Sequence, residues 1–103
     1  MAKFVRVCGV DEVPPGKVGY AEVDGTYLAI CNRDGEFFVI DDICTHDGGP
    51  LDQGSLQGFN IECPRHGAKF DIRTGRVTAL PAIIPIGTYD VKVEGDDVLV
   101  DIE

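Results

Sequence analysis

The chain has 103 residues, 44% of them apolar and 26% charged, which is typical of a single globular domain. Its net charge of −9, from 18 acidic and 9 basic residues, argues against nucleic acid as a partner, because phosphate binding needs a positive surface. The longest apolar run, LPAIIPI at 80–86, is too short to span a bilayer, so we expect no membrane partner either.

The N-terminal sequence and two of the four cysteines indicate an ordinary intracellular domain. MAKFVRVCGV has neither the apolar centre nor the small-residue cleavage site of a secretory signal, which predicts a cytoplasmic protein. Cys8 and Cys31 each end an apolar, strand-like run, so we expect them to be small core residues. The other two cysteines, Cys44 and Cys63, stand in polar surroundings.

Taken in chain order, the sequence predicts short strands separated by turns, and no convincing helix. Asp-Gly at 24–25 lies between two apolar runs and is a strong hairpin signal, and NRDG at 32–35 indicates a second turn. VTALPAIIPIG at 77–87 carries too many prolines for a central strand. The predicted strands are KFVRVC (3–8), VGYAEV (18–23), TYLAIC (26–31), EFFVID (36–41), GFNIEC (58–63), AKFDIR (68–73), TYDVKVE (88–94) and DVLVDI (97–102).

The regular pattern is interrupted by CTHDGGPLDQGSLQ at 44–57, a polar, glycine-rich segment without useful periodicity. A long loop of this kind inside a small domain is usually functional or flexible. Both histidines of the chain stand close to a cysteine, one as C-x-H at 44–46 and the other as C-x-x-H at 63–66. We therefore expect two loops, held by a β scaffold, to present one Cys and one His each.

Two metal sites are compatible with this ligand set. A structural zinc ion accepts two thiolates and two imidazoles, but its ligands usually come as like pairs with spacings of C-x₂₋₄-C and H-x₃₋₅-H. A two-iron cluster can instead take one Cys and one His from each loop, so that two thiolates hold one iron and two imidazoles hold the other. The mixed pairs of this sequence favour the cluster over zinc.

The two stretches CTHDGG and CPRHGAKFD resemble the cluster-binding loops of the Rieske family. The C-terminal sequence ALPAIIPIGTYDVKVEGDDVLVDI resembles the Pro-containing loop and closing hairpin of small Rieske ferredoxins. The resemblance implies an all-β Rieske fold of antiparallel sheets with an inserted two-loop cluster-binding subdomain. We expect a single domain over 1–103, with the subdomain at about 42–73 and the Pro-containing loop at about 79–87.

The resemblance also assigns the ligands of one [2Fe–2S] cluster per chain. Cys44 and Cys63 would hold the iron that stays ferric, and His46 and His66 would hold the outer iron, with their free ring nitrogens toward solvent. Neutral imidazoles in place of two thiolates make the cluster less negative, which raises its potential above that of four-Cys ferredoxins.

The respiratory members of the family differ from this chain at four positions. They carry a disulfide across the cluster, and the matching residues here are Gly49 and Arg65, which cannot form one. They also donate Ser and Tyr hydroxyls to the cluster, where this chain has Ala68 and Phe70. With those donors absent, we expect a potential near the lower end of the Rieske range, which spans roughly −150 to +300 mV.

These features predict a soluble, monomeric one-electron carrier that passes electrons from a flavin-dependent ferredoxin reductase to a terminal oxygenase. Because no histidine remains for a mononuclear iron site, we expect an electron-transfer protein and not an enzyme. The small Rieske-like subunit of a nitrite reductase and a non-redox zinc-binding interaction domain remain as alternatives.

Charged residues surround both loops. Two interpretations are open: the acidic residues steer the protein to basic partners, or the charges of the two loops pair with one another. The acidic group is Asp41, Asp42, Asp47 and Asp52, and the basic group is Arg65, Lys69, Arg73 and Arg76.

Overall fold

The computed structural model describes residues 3–102, which form antiparallel strands and a single turn of 3₁₀ helix at Val10–Glu12. The strands are β1 (Phe4–Gly9), β2 (Val18–Val23), β3 (Thr26–Arg33), β4 (Glu36–Asp41), β5 (Ser55–Gln57), β6 (Asn60–Glu62), β7 (Lys69–Asp71), β8 (Val77–Ala79), β9 (Thr88–Tyr89), β10 (Val91–Glu94) and β11 (Asp97–Asp101). They are arranged in three sheets, which confirms the predicted all-β class. None of the helical structure within 3–102 has the length and apolar character needed to cross a bilayer.

The first sheet has the order β2-β3-β4-β9 and contains the predicted meander. Asp24 and Gly25 both have positive φ, 50° and 82°, as a two-residue type I′ hairpin requires, and the predicted turn at 24–25 is confirmed. Strand β3 runs two residues beyond its predicted end, to Arg33, so the second turn is confined to Asp34 and Gly35. The extension is held by the buried amide of Asn32, which donates to Val13 O at 2.7 Å and accepts from Gly35 N at 2.7 Å.

The second sheet has the order β1-β11-β10 and includes the predicted closing hairpin. The prediction of one strand over 88–94 is wrong, because strand structure is interrupted at Asp90. Thr88–Tyr89 pairs with β4 of the first sheet, whereas Val91–Glu94 pairs with β11 of the second. Residues 88–94 therefore contribute to two different sheets, although their sequence reads as one continuous strand.

The third sheet has the order β5-β6-β7-β8 and supports the polar segment. β5 (Ser55–Gln57) lies in a stretch that we expected to be entirely loop, and it forms because it pairs with β6. β8 (Val77–Ala79) is an edge strand that ends before the Leu80–Pro81 bond, in line with the exclusion of this region from central strands. The predicted subdomain at about 42–73 and the Pro-containing loop at about 79–87 remain predictions.

The core consists of two clusters. One fills the space between the first and second sheets and contains Cys8, while the other lies under the polar loops and contains Cys31, Phe70 and both loop cysteines. Cys8 and Cys31 are 6% and 0% exposed, which confirms the prediction that they are core residues.

Candidate metal centre

The two cysteine loops close through the same pair of backbone hydrogen bonds. In the first, Cys44 N donates to Gly49 O and Gly48 N donates to Cys44 O, both at 2.7 Å. In the second, Cys63 N donates to Ala68 O at 2.7 Å and Gly67 N donates to Cys63 O at 3.1 Å. The glycine four residues after each cysteine has φ +76°, a left-handed conformation that explains why glycine stands at both positions. Residues 44–49 and 63–68 are therefore two copies of one loop geometry.

The structure brings together the four predicted ligands in two pairs. The Sγ atoms of Cys44 and Cys63 lie within 4.8 Å of each other and are buried, at 0% and 1% exposure. His46 and His66 lie outside them, with ring centroids 5.0 Å apart and ring nitrogens within 4.8 Å, and the His66 side chain is 50% exposed. Two sulfurs thus face inward and two imidazoles face solvent.

Opposing effects act on the buried thiol of Cys44. Burial is the main cause that raises its pKa, and the nearby Cys63 adds to the rise. Backbone N–H groups of His46 and Asp47 point at the same sulfur and act in the opposite direction. A thiolate here is therefore stabilised by donors on one side and needs a cation on the other.

This arrangement fits two metal centres better than one. The sulfurs and the imidazoles fall into separate groups, and the side chain common to both groups is Asp47. Its carboxylate, however, accepts from Arg65 Nε at 2.6 Å and from Gly49 N at 2.9 Å, so its oxygens are already engaged. A buried pair of soft sulfurs beside an exposed pair of imidazoles is the donor set of a two-iron cluster with unequal irons.

Two apolar residues, Ala68 and Phe70, stand at the positions for which the sequence predicted no hydroxyl donor. Ala68 and Phe70 are fully buried beneath the loops, within the same core cluster as the two loop cysteines. Their side chains supply packing and carry no hydroxyl, and the low potential stays a prediction.

Three of the four acidic residues near the first loop accept hydrogen bonds within the protein, which weighs against the interpretation that they steer it to basic partners. Asp42 is 7% exposed and accepts from Leu51 N and Asp52 N at 2.7 Å. Asp41 accepts from the hydroxyl of Tyr89 and from Gly87 N. Only the ion pair of Asp47 with Arg65, at 2.6 Å, joins the acidic group to the basic group among the described residues, and it supports the pairing interpretation.

Several exposed aliphatic residues, most of them in the Pro-containing loop, were not predicted from the sequence. Leu80, Ile83 and Ile84 are 76%, 78% and 58% exposed, and Ile43 is 44% exposed. The Thr45 hydroxyl donates to Ile84 O at 2.5 Å and ties this Pro-containing loop to the first cysteine loop. The sequence signal that could have revealed these residues is a run of aliphatic side chains with no predicted strand to bury them.

Comparisons with known proteins agree with this geometry. A family model described as Rieske [2Fe-2S] domain matches residues 3–90. The biphenyl dioxygenase ferredoxin subunit of a Pseudomonas species is 46% identical over 99 residues, which cover 95% of this chain and 91% of that protein. The ferredoxin of carbazole 1,9a-dioxygenase from Nocardioides aromaticivorans superimposes with a TM-score of 0.93 at 36% identity, covering 99% of this chain and all of that chain.

Two further solved structures bear on partners and on the alternatives. A chain from a complex of reduced oxygenase and oxidized ferredoxin in carbazole 1,9a-dioxygenase matches with a TM-score of 0.89 at 32% identity, over 95% of this chain and 92% of that chain. A nitrite reductase small subunit from Mycobacterium tuberculosis matches with a TM-score of 0.88 over 97% of this chain and 95% of that chain, but at only 17% identity. This second likeness shows the shared fold alone.

Proposed function

The chain belongs to the Rieske [2Fe-2S] domain family, and from that premise we propose that it carries single electrons from a flavin-dependent reductase to a terminal oxygenase. The observation that carries the proposal is the convergence of two buried sulfurs and two exposed imidazoles at the tips of two matching loops. The family implies one [2Fe–2S] cluster, which supplies a site for one electron when bound.

We propose that Cys44 and Cys63 bind the inner iron and that His46 and His66 bind the outer one. Burial of the sulfurs at 0% and 1% exposure excludes water from the inner side, whereas the exposed imidazoles bring the outer iron close to the surface. Electrons would therefore leave and enter on the histidine side.

The same side offers a surface suited to a protein partner. The exposed aliphatic residues of the Pro-containing loop adjoin the first cysteine loop through the bond from Thr45 to Ile84. An apolar contact around exposed imidazoles would exclude water and bring a second redox centre near. Because the related carbazole ferredoxin is known in complex with its oxygenase, we propose that this face binds the oxygenase and, in turn, the reductase.

The remaining features of the function are inferred from the sequence. Both histidines of the chain belong to the cysteine loops, so none is left for a mononuclear iron site, and we propose that the protein catalyses no reaction of its own. A monomeric state and a cytoplasmic location remain predictions.

The first experiment measures the cluster itself. Protein purified without oxygen should contain about two irons and two acid-labile sulfides per chain and give a rhombic electron paramagnetic resonance spectrum after reduction. Cys63→Ala should abolish the cluster, whereas Cys31→Ala, which removes an equally buried thiol outside the loops, should retain it. Colourless protein containing one zinc ion would refute the proposal in favour of the zinc-binding domain.

The second experiment measures electron transfer. The reduced protein should be oxidised by a terminal oxygenase in a stopped-flow assay, and Ile83→Asp should slow this step by weakening the apolar contact, without changing the cluster spectrum. Val93→Asp provides the matched control, because Val93 is also exposed but lies in β10 of another sheet. Equal rates for the two variants would place the partner elsewhere.

A further inference from the structure

A single side chain joins the two cysteine loops by three hydrogen bonds. Arg65, from the second loop, donates through Nε to Asp47 Oδ2 at 2.6 Å and through a terminal nitrogen to Asp47 Oδ1 at 3.2 Å. The same terminal nitrogen donates to Pro50 O at 3.0 Å. The side chain of Asp47 is 18% exposed and that of Arg65 is 34% exposed, so the paired groups lie at the surface between the two loops.

Gly49 provides the space in which the guanidinium lies. A Cβ atom at position 49 would stand 2.5 Å from Arg65 Cζ and 2.6 Å and 2.8 Å from two of its nitrogens. The φ angle of Gly49 is outside the left-handed region, so the backbone here does not demand glycine. Glycine is needed at position 49 because the guanidinium of Arg65 occupies the space that a side chain would take.

The contact between Arg65 and Asp47 corresponds in position to the contact between the two histidine rings. Counted from its cysteine, the first loop has His46 at the second position and Asp47 at the third, while the second loop has Arg65 at the second and His66 at the third. The two loops have the same pattern of internal backbone hydrogen bonds. The side chain at the second position of each loop therefore faces the side chain at the third position of the other loop. One such contact brings the histidine rings to 5.0 Å, and the other is the Arg65–Asp47 pair.

We propose that Arg65 and Asp47 are positioning residues which clamp the two cysteine loops together, and that Gly49 is the seat of this clamp. The inference rests on the proposed function, because it concerns retention of the cluster that the four ligands hold. In this chain, where residues 49 and 65 cannot form a covalent link, the ion pair fixes the relative position of His46 and His66. Its loss leaves all four ligands in place but lets the loops separate.

The first test removes the guanidinium. Arg65→Leu should assemble a cluster and then lose it roughly tenfold faster than the unchanged protein in the presence of a chelator, the size of effect expected when charge-assisted hydrogen bonds between the two loops are removed. Arg65→Lys keeps the charge without the two-pronged geometry and should recover only part of the lifetime. The rate is read from bleaching of the visible absorption.

The matched control is Arg73→Leu. Arg73 pairs with Asp71 at 2.8 Å in the same bidentate manner and also lies over the Phe59 ring at 3.9 Å, but none of these residues belongs to either cysteine loop. Its substitution should leave the lifetime of the cluster unchanged. A shift in the principal g values of the reduced spectrum should likewise occur for Arg65→Leu and not for Arg73→Leu, because only the former alters the surroundings of the histidines.

The decisive test uses Gly49→Ala, which leaves both charged residues and all four proposed ligands unsubstituted. In the unchanged background the added methyl group should displace Arg65 and shorten the cluster lifetime nearly as much as Arg65→Leu does. In the Arg65→Leu background the same substitution should have a much smaller further effect, because the clamp is already lost.

Three outcomes separate the clamp from the proposed function. Unchanged lifetime and g values in Arg65→Leu would overturn the clamp and leave the ligand assignment intact. Additive effects of Gly49→Ala and Arg65→Leu would also overturn it, because they would act independently. A failure of the unchanged protein to bind iron and sulfide would instead refute the proposed function.

Discussion

The two cysteine loops have the same backbone geometry but are held in place by different means. The second, 63–68, is the tip of a hairpin whose strands β6 and β7 pair directly beneath it. The first, 44–49, follows β4 but does not join two paired strands, because residues 50–54, which form no strand, separate it from β5 and β5 pairs with β6. Its position depends on side chains: buried Asp42 binds the backbone of Leu51 and Asp52, and Thr45 binds the Pro-containing loop.

This difference shows how one local geometry can be obtained from unequal support. A strand ladder fixes the second loop through backbone groups that every sequence has, whereas the first loop depends on a few particular side chains. We therefore expect the first loop to be more sensitive to side-chain substitution and both loops to be equally sensitive at their left-handed glycines.

The largest expected effect comes from the imidazoles. His46→Ala and His66→Ala should each prevent stable binding of the outer iron, because the two rings play equivalent parts 5.0 Å apart. Iron and sulfide analysis, with the spectrum of the reduced protein, measures the loss. Should either variant keep a full cluster with an unaltered spectrum, the assignment of that histidine as a ligand would be wrong.

Asp42 tests the dependence of the first loop on side chains. Asp42→Ala should lower the free energy of unfolding by about 1–3 kcal/mol, because the buried N–H of Leu51 and the partly buried N–H of Asp52 lose their acceptor. Asp71→Ala, at the end of β7 in the hairpin that carries the second loop, is the comparison and should cost less, since its main partner, Arg73, is exposed. Denaturant midpoints of cluster-loaded proteins, measured under one protocol, give the difference.

The pH dependence of the same carboxyl sharpens this test. Burial, with the adjacent carboxyl of Asp52, raises the pKa of Asp42 to about 6, from an ordinary value of 3.8. The folded state therefore holds this proton at a pH where the unfolded state has released it, so the contribution of Asp42 to stability falls as pH rises from about 4 to about 6. Asp42→Asn keeps an acceptor oxygen but cannot ionise. Its stability relative to the unchanged protein should therefore increase between pH 5 and pH 8, and a constant difference would contradict the raised pKa.

The glycines test the equivalence of the loops. Gly48→Ala and Gly67→Ala both force a side chain onto a residue with φ +76°, and each should cost about 1–2 kcal/mol of unfolding free energy. Neither added Cβ would collide with a neighbour, since the nearest atom to it is 3.6 Å away at Gly67 and lies beyond 4 Å at Gly48. Costs that differ by more than the measurement error would show that the two loops are not equally constrained.

The smallest expected effect concerns the bond between the first loop and the Pro-containing loop. Thr45→Val removes the donor to Ile84 O and should lower the free energy of unfolding by about 0.5–1.5 kcal/mol. Amide hydrogen exchange in residues 80–87 should become faster. The matched control is Thr78→Val, because the Thr78 hydroxyl donates to Asn60 Oδ1 at 2.8 Å in the third sheet. Hydrogen exchange that changes to the same extent in both variants would mean that Thr45 does not anchor this loop.

Much of the fold and of the candidate site follows from local patterns in the sequence. Strands β2 and β4 match their predicted bounds, because alternating apolar residues and the Asp-Gly turn encode them within a few residues. The four proposed ligands were also found from the sequence, since metal binding depends on residue types at fixed spacing, and the structure brings their sulfurs together and their imidazoles together. Local information was enough wherever the cause was local.

The tertiary structure decided what depends on distant neighbours. β5 forms because it pairs with β6. The strand is interrupted at Asp90 because the residues before it pair with the first sheet and those after it pair with the second. The bond between Arg65 and Asp47 joins side chains 18 residues apart, so neither residue alone indicates it. The sequence specified the chemistry of each loop, whereas packing set the distance between the loops, because that distance is a property of the assembled sheets and of no single segment.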